Sequence, residues 1–291
     1  MKTITFFSEK GGVGKSSFSI MYASWLNKHG INVALADFNH RISRYRESEI
    51  RARNKFIEEN PEDGVLPFDE KKAWPIIDAW ASDIQPYKED GLPYPYGSWF
   101  NDQVTKGKLA GHDVIVCDFP GSMADGSFMH MLYMRQLGLI VIPTEKDEMT
   151  LGSTLRLKDL LNKTNNYCCF INKAQLGLKN FRTSYLKLGR KLTAGSVRML
   201  PDIVTYSERM TTIDKVDIIR STFGFPDFSK PEYSGLSDLG IENLFIDVTR
   251  ELAKAPDFKG TEKADLNFIE TMEKKNDGRF FKGSAFPEYE L

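Results

Sequence analysis

The segment TITFFS, residues 3–8, runs straight into the cluster SEKGGVGKSS, and a helix-forming stretch begins inside that cluster. A strand, a glycine-rich loop and a helix in immediate succession leave the chain little freedom. It must turn sharply at the carboxyl end of a strand and start a helix there. Beyond Lys15, SSFSIMYASWLNKHG places Phe18, Met21, Tyr22 and Trp25 at three- and four-residue spacing, and Gly30 supplies a stop. Glycines at 11, 12 and 14 let consecutive backbone N–H groups converge on an anion, and the helix N-terminus adds a favourable dipole. Gly11, Gly12, Val13, Gly14, Lys15, Ser16 and Ser17 therefore read as a phosphate cradle. In it Lys15 faces the outer phosphates of a nucleoside triphosphate and the Ser16 hydroxyl ligates Mg²⁺. The common pattern G-x-x-x-x-G-K-[ST] is met at Gly14, Lys15 and Ser16, but Glu9 stands where its first glycine belongs, and a second lysine, Lys10, lies inside the loop. A glycine turn also serves purely structural ends, and Lys10 taken alone is a solvated polar residue.

The rest of the chain alternates in the same way. NVALAD (residues 32–37), DVIVCD (113–118), GLIVIP (138–143) and YCCFIN (167–172) are short apolar runs with the look of buried strands. A charged, helix-prone stretch follows residue 41, and GIENLFIDVTRELAK (240–254) has the pattern of a closing amphipathic helix. Continuous apolar strands alternating with helices predict an α/β fold, doubly wound, with a mainly parallel sheet and helices on both faces. The domain is expected over residues 1–254. Residues 41–111 form its divergent part, and the six prolines from Pro61 to Pro95 predict an irregular excursion there. Residues 255–291 read as a polar appendage.

Composition excludes several classes. With 41% hydrophobic and 27% charged residues the chain is globular, and a net charge of -1 excludes a uniformly basic nucleic-acid coat while leaving room for a local patch. Three cysteines (Cys117, Cys168, Cys169) form no C-x-x-C pair, and four scattered histidines lack zinc-ligand spacing, which fits a reducing compartment and no zinc. The N-terminal apolar run is too short for a signal peptide and no run approaches the length of a membrane span, so the expected address is the cytoplasm.

K-G-G-V-G-K-S resembles the deviant Walker A motif of the ParA/MinD family of ATPases. The resemblance implies ATP and Mg²⁺ as ligands and a homodimer with ATP sandwiched between subunits. On it, Lys10 is the signature lysine that reaches the partner's phosphates and Lys15 the ordinary Walker lysine. VALADFNHR is similar to the family's D-x-D-P-Q signature, with Asp37 on the first acid, Asn39 on the second, His40 on the proline and Arg41 on the glutamine. The second acid positions the attacking water in that family. Asn39 can hydrogen-bond the water but cannot accept its proton, so slow hydrolysis is expected. DVIVCDFPG resembles the Walker B strand and second switch, which implies that Asp118, with Ser16 and Asp37, holds Mg²⁺ partly through water, and that Pro120-Gly121 begins a γ-phosphate sensor. Asn172 falls where the family places a base-contacting Asn, and Pro201 in MLPDIVTYSERM where it closes over adenine.

Between Leu160 and Pro201 lie eight Lys or Arg and no Asp or Glu. In KNFRTSYLKLGRKL, Phe181, Tyr185, Leu188 and Leu192 share one stripe, with Lys179, Lys187 and Arg190 opposite, and Arg182 and Lys191 add to the charge. Two readings stand: a solvated helix face, or a sequence-independent DNA patch of the kind that carries ParA proteins on the nucleoid. The leading expectation is a weak ParA-type ATPase that partitions or positions DNA together with an unidentified activating or adaptor protein. The alternative is a hydrolysis-impaired, ATP-gated scaffold that positions a protein complex. The tail lacks the basic amphipathic helix of membrane-bound MinD proteins, so no membrane partner is expected. The three cysteines sit in apolar runs, as core thiols do.

Overall fold

The computed structural model describes residues 1–64, 67, 73–79, 96–121, 128, 131–132, 136–161, 166–174, 181–194, 197–205 and 240–258. Its strands are β1 (Lys2–Phe6), β2 (Val33–Asp37), β3 (Ile76–Asp78), β4 (Val114–Asp118), β5 (Leu139–Thr144), β6 (Tyr167–Ala174) and β7 (Met199–Thr205). They form one seven-stranded sheet in the order β3-β2-β4-β1-β5-β6-β7. Every pairing is parallel. Among the described residues the α-helices are α1 (Lys15–Lys28), α2 (Arg41–Glu59), α3 (Tyr96–Thr105), α4 (Glu148–Leu161), α5 (Phe181–Ala194) and α6 (Ile241–Lys254).

The two-residue period of the strands divides the core. Ile4, Phe6, Val33, Leu35, Val114 and Val116 join α1 and α6 in one cluster. Ala34, Ala36, Ile115, Cys117, Ile140 and Ile142 join residues of α3, α4 and α5 in the other. The expected doubly wound α/β architecture is thus present, with helices on both faces. The short strands are apolar on both sides because both sides are covered.

Helix α1 is buried from Ser17 to Leu26, around its whole circumference, between the sheet and α6. That explains why its sequence carries no clear polar face. Phe245 of α6 closes the stack, with ring centroids 6.5 Å from Phe6, 5.1 Å from Tyr22 and 6.0 Å from Trp25.

The proline-rich stretch holds a feature the sequence pattern did not reveal. Ile76–Asp78 is an edge strand paired with β2, flanked by the bonds Leu35 N–H to Pro75 O (3.0 Å) and Ala79 N–H to Asp37 O (3.0 Å). Three residues are too few to show a period, and a proline beside an edge strand costs no ladder bond. The core also reaches slightly past residue 254: Ala255 and Phe258 are buried, and Phe258 N–H donates to Met1 O at 3.0 Å. Residues 259–291 of the expected appendage lie outside the described residues, as do Lys179 and positions 206–210.

Phe245 is fully buried on three aromatic partners. Phe245→Ala is therefore expected to lower unfolding free energy by about 3–5 kcal/mol, read as a shift of the urea midpoint at unchanged m-value.

Candidate functional site

Strand β1 lies at the centre of the sheet, with β4 on one side and β5 on the other. The chain crosses from one half of the sheet to the other there, and open α/β sheets leave a crevice at the carboxyl ends of strands at such a point. The glycine loop leaves β1 into that crevice. Gly14 caps α1 with φ 88, in the left-handed region, and no side chain caps the helix. The N–H groups of the first turn therefore remain free of a side-chain acceptor, which suits an anion. A β-carbon at Gly14 would lie 3.3 Å from the Phe18 ring, a second reason for glycine.

Lys15 is 8% exposed, and its ammonium donates to the Lys10 carbonyl at 2.9 Å. On its other side is Gly121, where an added β-carbon would come within 2.7 Å of the Lys15 Nζ. The first residues after β4 thus approach the phosphate lysine as closely as a backbone can. Burial lowers the Lys15 pKa; Asp118 opposes that shift and Arg41 adds to it.

Asp37 and Asp118 end adjacent strands in direct register and are both fully buried. Asp37 accepts bonds from Asn39 N–H (3.0 Å), Ser43 N–H (2.8 Å) and the Ser43 hydroxyl (2.9 Å). Asp118 accepts bonds from the hydroxyls of Ser16 (2.8 Å) and Ser19 (3.3 Å). Burial first, then the charge of Asp37, pushes the Asp118 pKa up to about 7 against the bonds from Ser16, the Asn39 side chain and Ser19. Burial also raises Asp37. Two neighbouring buried carboxylates with uncompensated charge, one already on a serine hydroxyl, are hard oxygen donors that fit Mg²⁺. Ser16, Asp118 and Asp37 are the residues that would hold it.

The three departures from the D-x-D-P-Q signature each have a physical account. Asn39 is half-buried and its side chain hydrogen-bonds Asp118, where a third acid would repel two buried ones. His40 caps α2 with φ 55, which proline cannot adopt, and its Nδ1 is bonded to the Asp78 carboxylate at the end of β3. Arg41 opens α2 and is exposed.

Lys10 is held in cis. Its ammonium pairs with Asp147 (2.7 Å) and Glu145 (3.1 Å), and Glu145 also pairs with Lys173 (2.8 Å), which donates to Gly12 O at 2.6 Å. Desolvation works to lower the Lys10 pKa, but the two carboxylates outweigh it and hold the ammonium protonated. Asp147 also receives Thr150 N–H at 2.9 Å and so caps α4. Sequence reading missed Glu145, Asp147, Lys173, Ser19 and Ser43. The only signal was the acid cluster TEKDE just after an apolar strand, where site loops of such sheets lie.

Among the remaining expected residues, Asn172 is buried and its amide nitrogen donates to Val13 O at 2.9 Å, which ties β6 to the loop. Pro201 lies in β7, and its side chain, like that of Arg182, is outside the described residues. On α5, Lys187, Arg190 and Lys191 are exposed over buried Leu188 and Leu192. Cys117, Cys168 and Cys169 are buried free thiols, as expected of core residues.

The sequence profile described as the CobQ/CobB/MinD/ParA nucleotide binding domain matches residues 4–256. No curated protein sequence matches. Among solved structures, the MinC:MinD cell division protein complex of Aquifex aeolicus is similar at TM-score 0.56 and 17% identity, over 91% of this chain and 99% of that one. The MinD cell division protein of Aquifex aeolicus gives 0.54 and 18%, over 86% and 98%. A putative plasmid partition protein of Borrelia burgdorferi B31, bound to AMPPNP, gives 0.52 and 18%, over 87% and 98%. These likenesses are of fold.

An acid whose pKa rises on folding stabilises the fold below its ordinary pKa and loses that contribution as pH climbs through the folded value. Asp118 should therefore make the metal-free, nucleotide-free protein less stable as pH rises from about 4 to about 7. Asp118→Asn should remove that part of the slope in melting temperature against pH, and an identical slope in the variant would contradict the assignment.

Proposed function

The chain belongs to the CobQ/CobB/MinD/ParA nucleotide-binding family, and from that premise we propose that it is a ParA-type ATPase, a switch that dimerises around ATP and positions DNA. The observation that carries this reading is the buried pair Asp37 and Asp118 facing the Gly14–Lys15–Ser16 corner, with Lys10 beside it at the surface. The loop and the N-terminus of α1 bind the phosphates, and Lys15 neutralises their outer charge. Ser16, Asp37 and Asp118 would hold Mg²⁺, which would offset the charge of the phosphates. Lys10 exchanges its two carboxylates for the triphosphate of a second subunit, which couples association to the nucleotide state. Asn39 orients the attacking water without taking its proton, so turnover is slow.

Lys187, Arg190 and Lys191 support a sequence-independent DNA surface on α5, doubled in the dimer and strengthened by avidity. AMPPNP in the Borrelia protein supports ATP as the ligand here, and the MinC:MinD complex supports an adaptor protein as a further partner. A cytoplasmic, nucleoid-bound location follows from the same reading.

Asn39 also favours a second reading, an ATP-gated scaffold that scarcely hydrolyses and positions a protein complex. Single-turnover assays with and without DNA separate the two. On the ATPase reading wild-type protein turns over and Asn39→Asp raises the rate roughly 10- to 100-fold; on the scaffold reading wild type shows no turnover above background.

Light scattering tests the switch. The mass should double with ATP or a slowly hydrolysed analogue and not with ADP. Lys10→Ala should abolish that dimer and retain nucleotide binding, whereas Lys15→Ala should weaken binding itself by about tenfold or more. A protein monomeric under all three conditions would sink the switch reading and the role of Lys10.

A further inference from the structure

Arg41 is a cation of the site that the proposed function does not use. It opens α2 four residues after Asp37, on a loop pinned to the acid pair at both ends. On one side Asn39 bonds both acids, through its N–H to Asp37 and its side chain to Asp118. On the other, Ser43 donates its N–H and hydroxyl to Asp37. The guanidinium is exposed and has no hydrogen-bond or ion-pair partner among the described residues. The bonds to Asp37 and Asp118 hold the start of α2 beside Ser16, which follows Lys15 and bonds Asp118 at 2.8 Å. A buried lysine and an exposed arginine around one acid pair suit a polyanion. Compared with the acid and glutamine of the resembling signature, Asn39 and Arg41 make the site more positive by two charges.

We propose that Arg41 binds the terminal phosphate of the nucleoside triphosphate held by Lys15, and so makes the site distinguish triphosphate from diphosphate. The inference rests on the nucleotide-binding reading and deepens it. The inner phosphates are served by the glycine loop and the first turn of α1. Arg41 approaches from β2, across Asp37 and Asp118, and reaches the far end of the chain of phosphates. A guanidinium suits that end because it grips two phosphate oxygens at once, which an ammonium does not.

The test is equilibrium binding of ADP and of a slowly hydrolysed ATP analogue to wild type, Arg41→Ala, Arg41→Gln, Arg41→Lys and Arg51→Ala. Arg51 is an exposed arginine of the same helix, 73% accessible, so its removal takes away the same charge elsewhere. Arg41→Ala and Arg41→Gln should weaken the analogue by about tenfold or more and ADP by less than about threefold. Arg41→Lys should fall between them and wild type, and Arg51→Ala should change neither. Equal losses for both nucleotides, or no loss in Arg41→Ala and Arg41→Gln, would overturn the role of Arg41 and leave the nucleotide site standing. A wild type that binds neither nucleotide would remove the site itself and this inference with it.

Discussion

Two carboxylates buried side by side at the ends of β2 and β4 are the constraint around which the site is arranged. Charge without solvent is costly, and each nearby polar group serves to offset it. Ser16 and Ser19 point their hydroxyls at one acid from the first turn and a half of α1, and Ser43 points backbone and side chain at the other from α2. Serine is a modest helix former, and two of the three in SSFS, Ser16 and Ser19, serve as donors for Asp118. The fold brings this about through register: parallel pairing of β2 with β4 sets Asp37 opposite Asp118, and a slip of one residue would turn one of them into the core.

The second organising fact is that the unusual residues after β2 and the short strand β3 form one unit. Asp78, Asp37 and Asp118 occupy matching positions on three neighbouring strands. His40 satisfies the outermost acid and Asn39 bonds the innermost. A third acid at 39 would crowd negative charge on negative charge. A proline at 40 would forbid the left-handed turn that brings the histidine to Asp78. The divergent stretch after residue 41 is therefore physically linked to the changes in the signature before it, since it supplies the strand that His40 holds.

Much of this was legible in the chain because it is local. The strand, the glycine loop and the helix are adjacent in sequence, and the apolar strands announce a sheet covered on both faces. Asp37 and Asp118 were legible because each ends such a strand. What stayed hidden depends on distance or brevity. Glu145 and Asp147 meet Lys10 across about 135 residues, and no local pattern records that meeting. Ile76–Asp78 is too short to show alternation and lies among prolines. The use of Asn39 was only half legible: its lack of charge was plain, but its bond to a buried acid appears only when β2 and β4 are set side by side.

Asp147 holds donors of different kinds, the ammonium of Lys10 and the N–H and hydroxyl of Thr150. On the proposed switch Lys10 would turn toward a second subunit, while the acid keeps its place at the head of α4, where the helix dipole favours it. Glu145 would still have Lys173 and Asp147 would still have Thr150, so neither carboxylate would be left without a donor. On that proposal the lysine is held on a returnable loan, and a subunit that loses its partner would find its resting arrangement already in place.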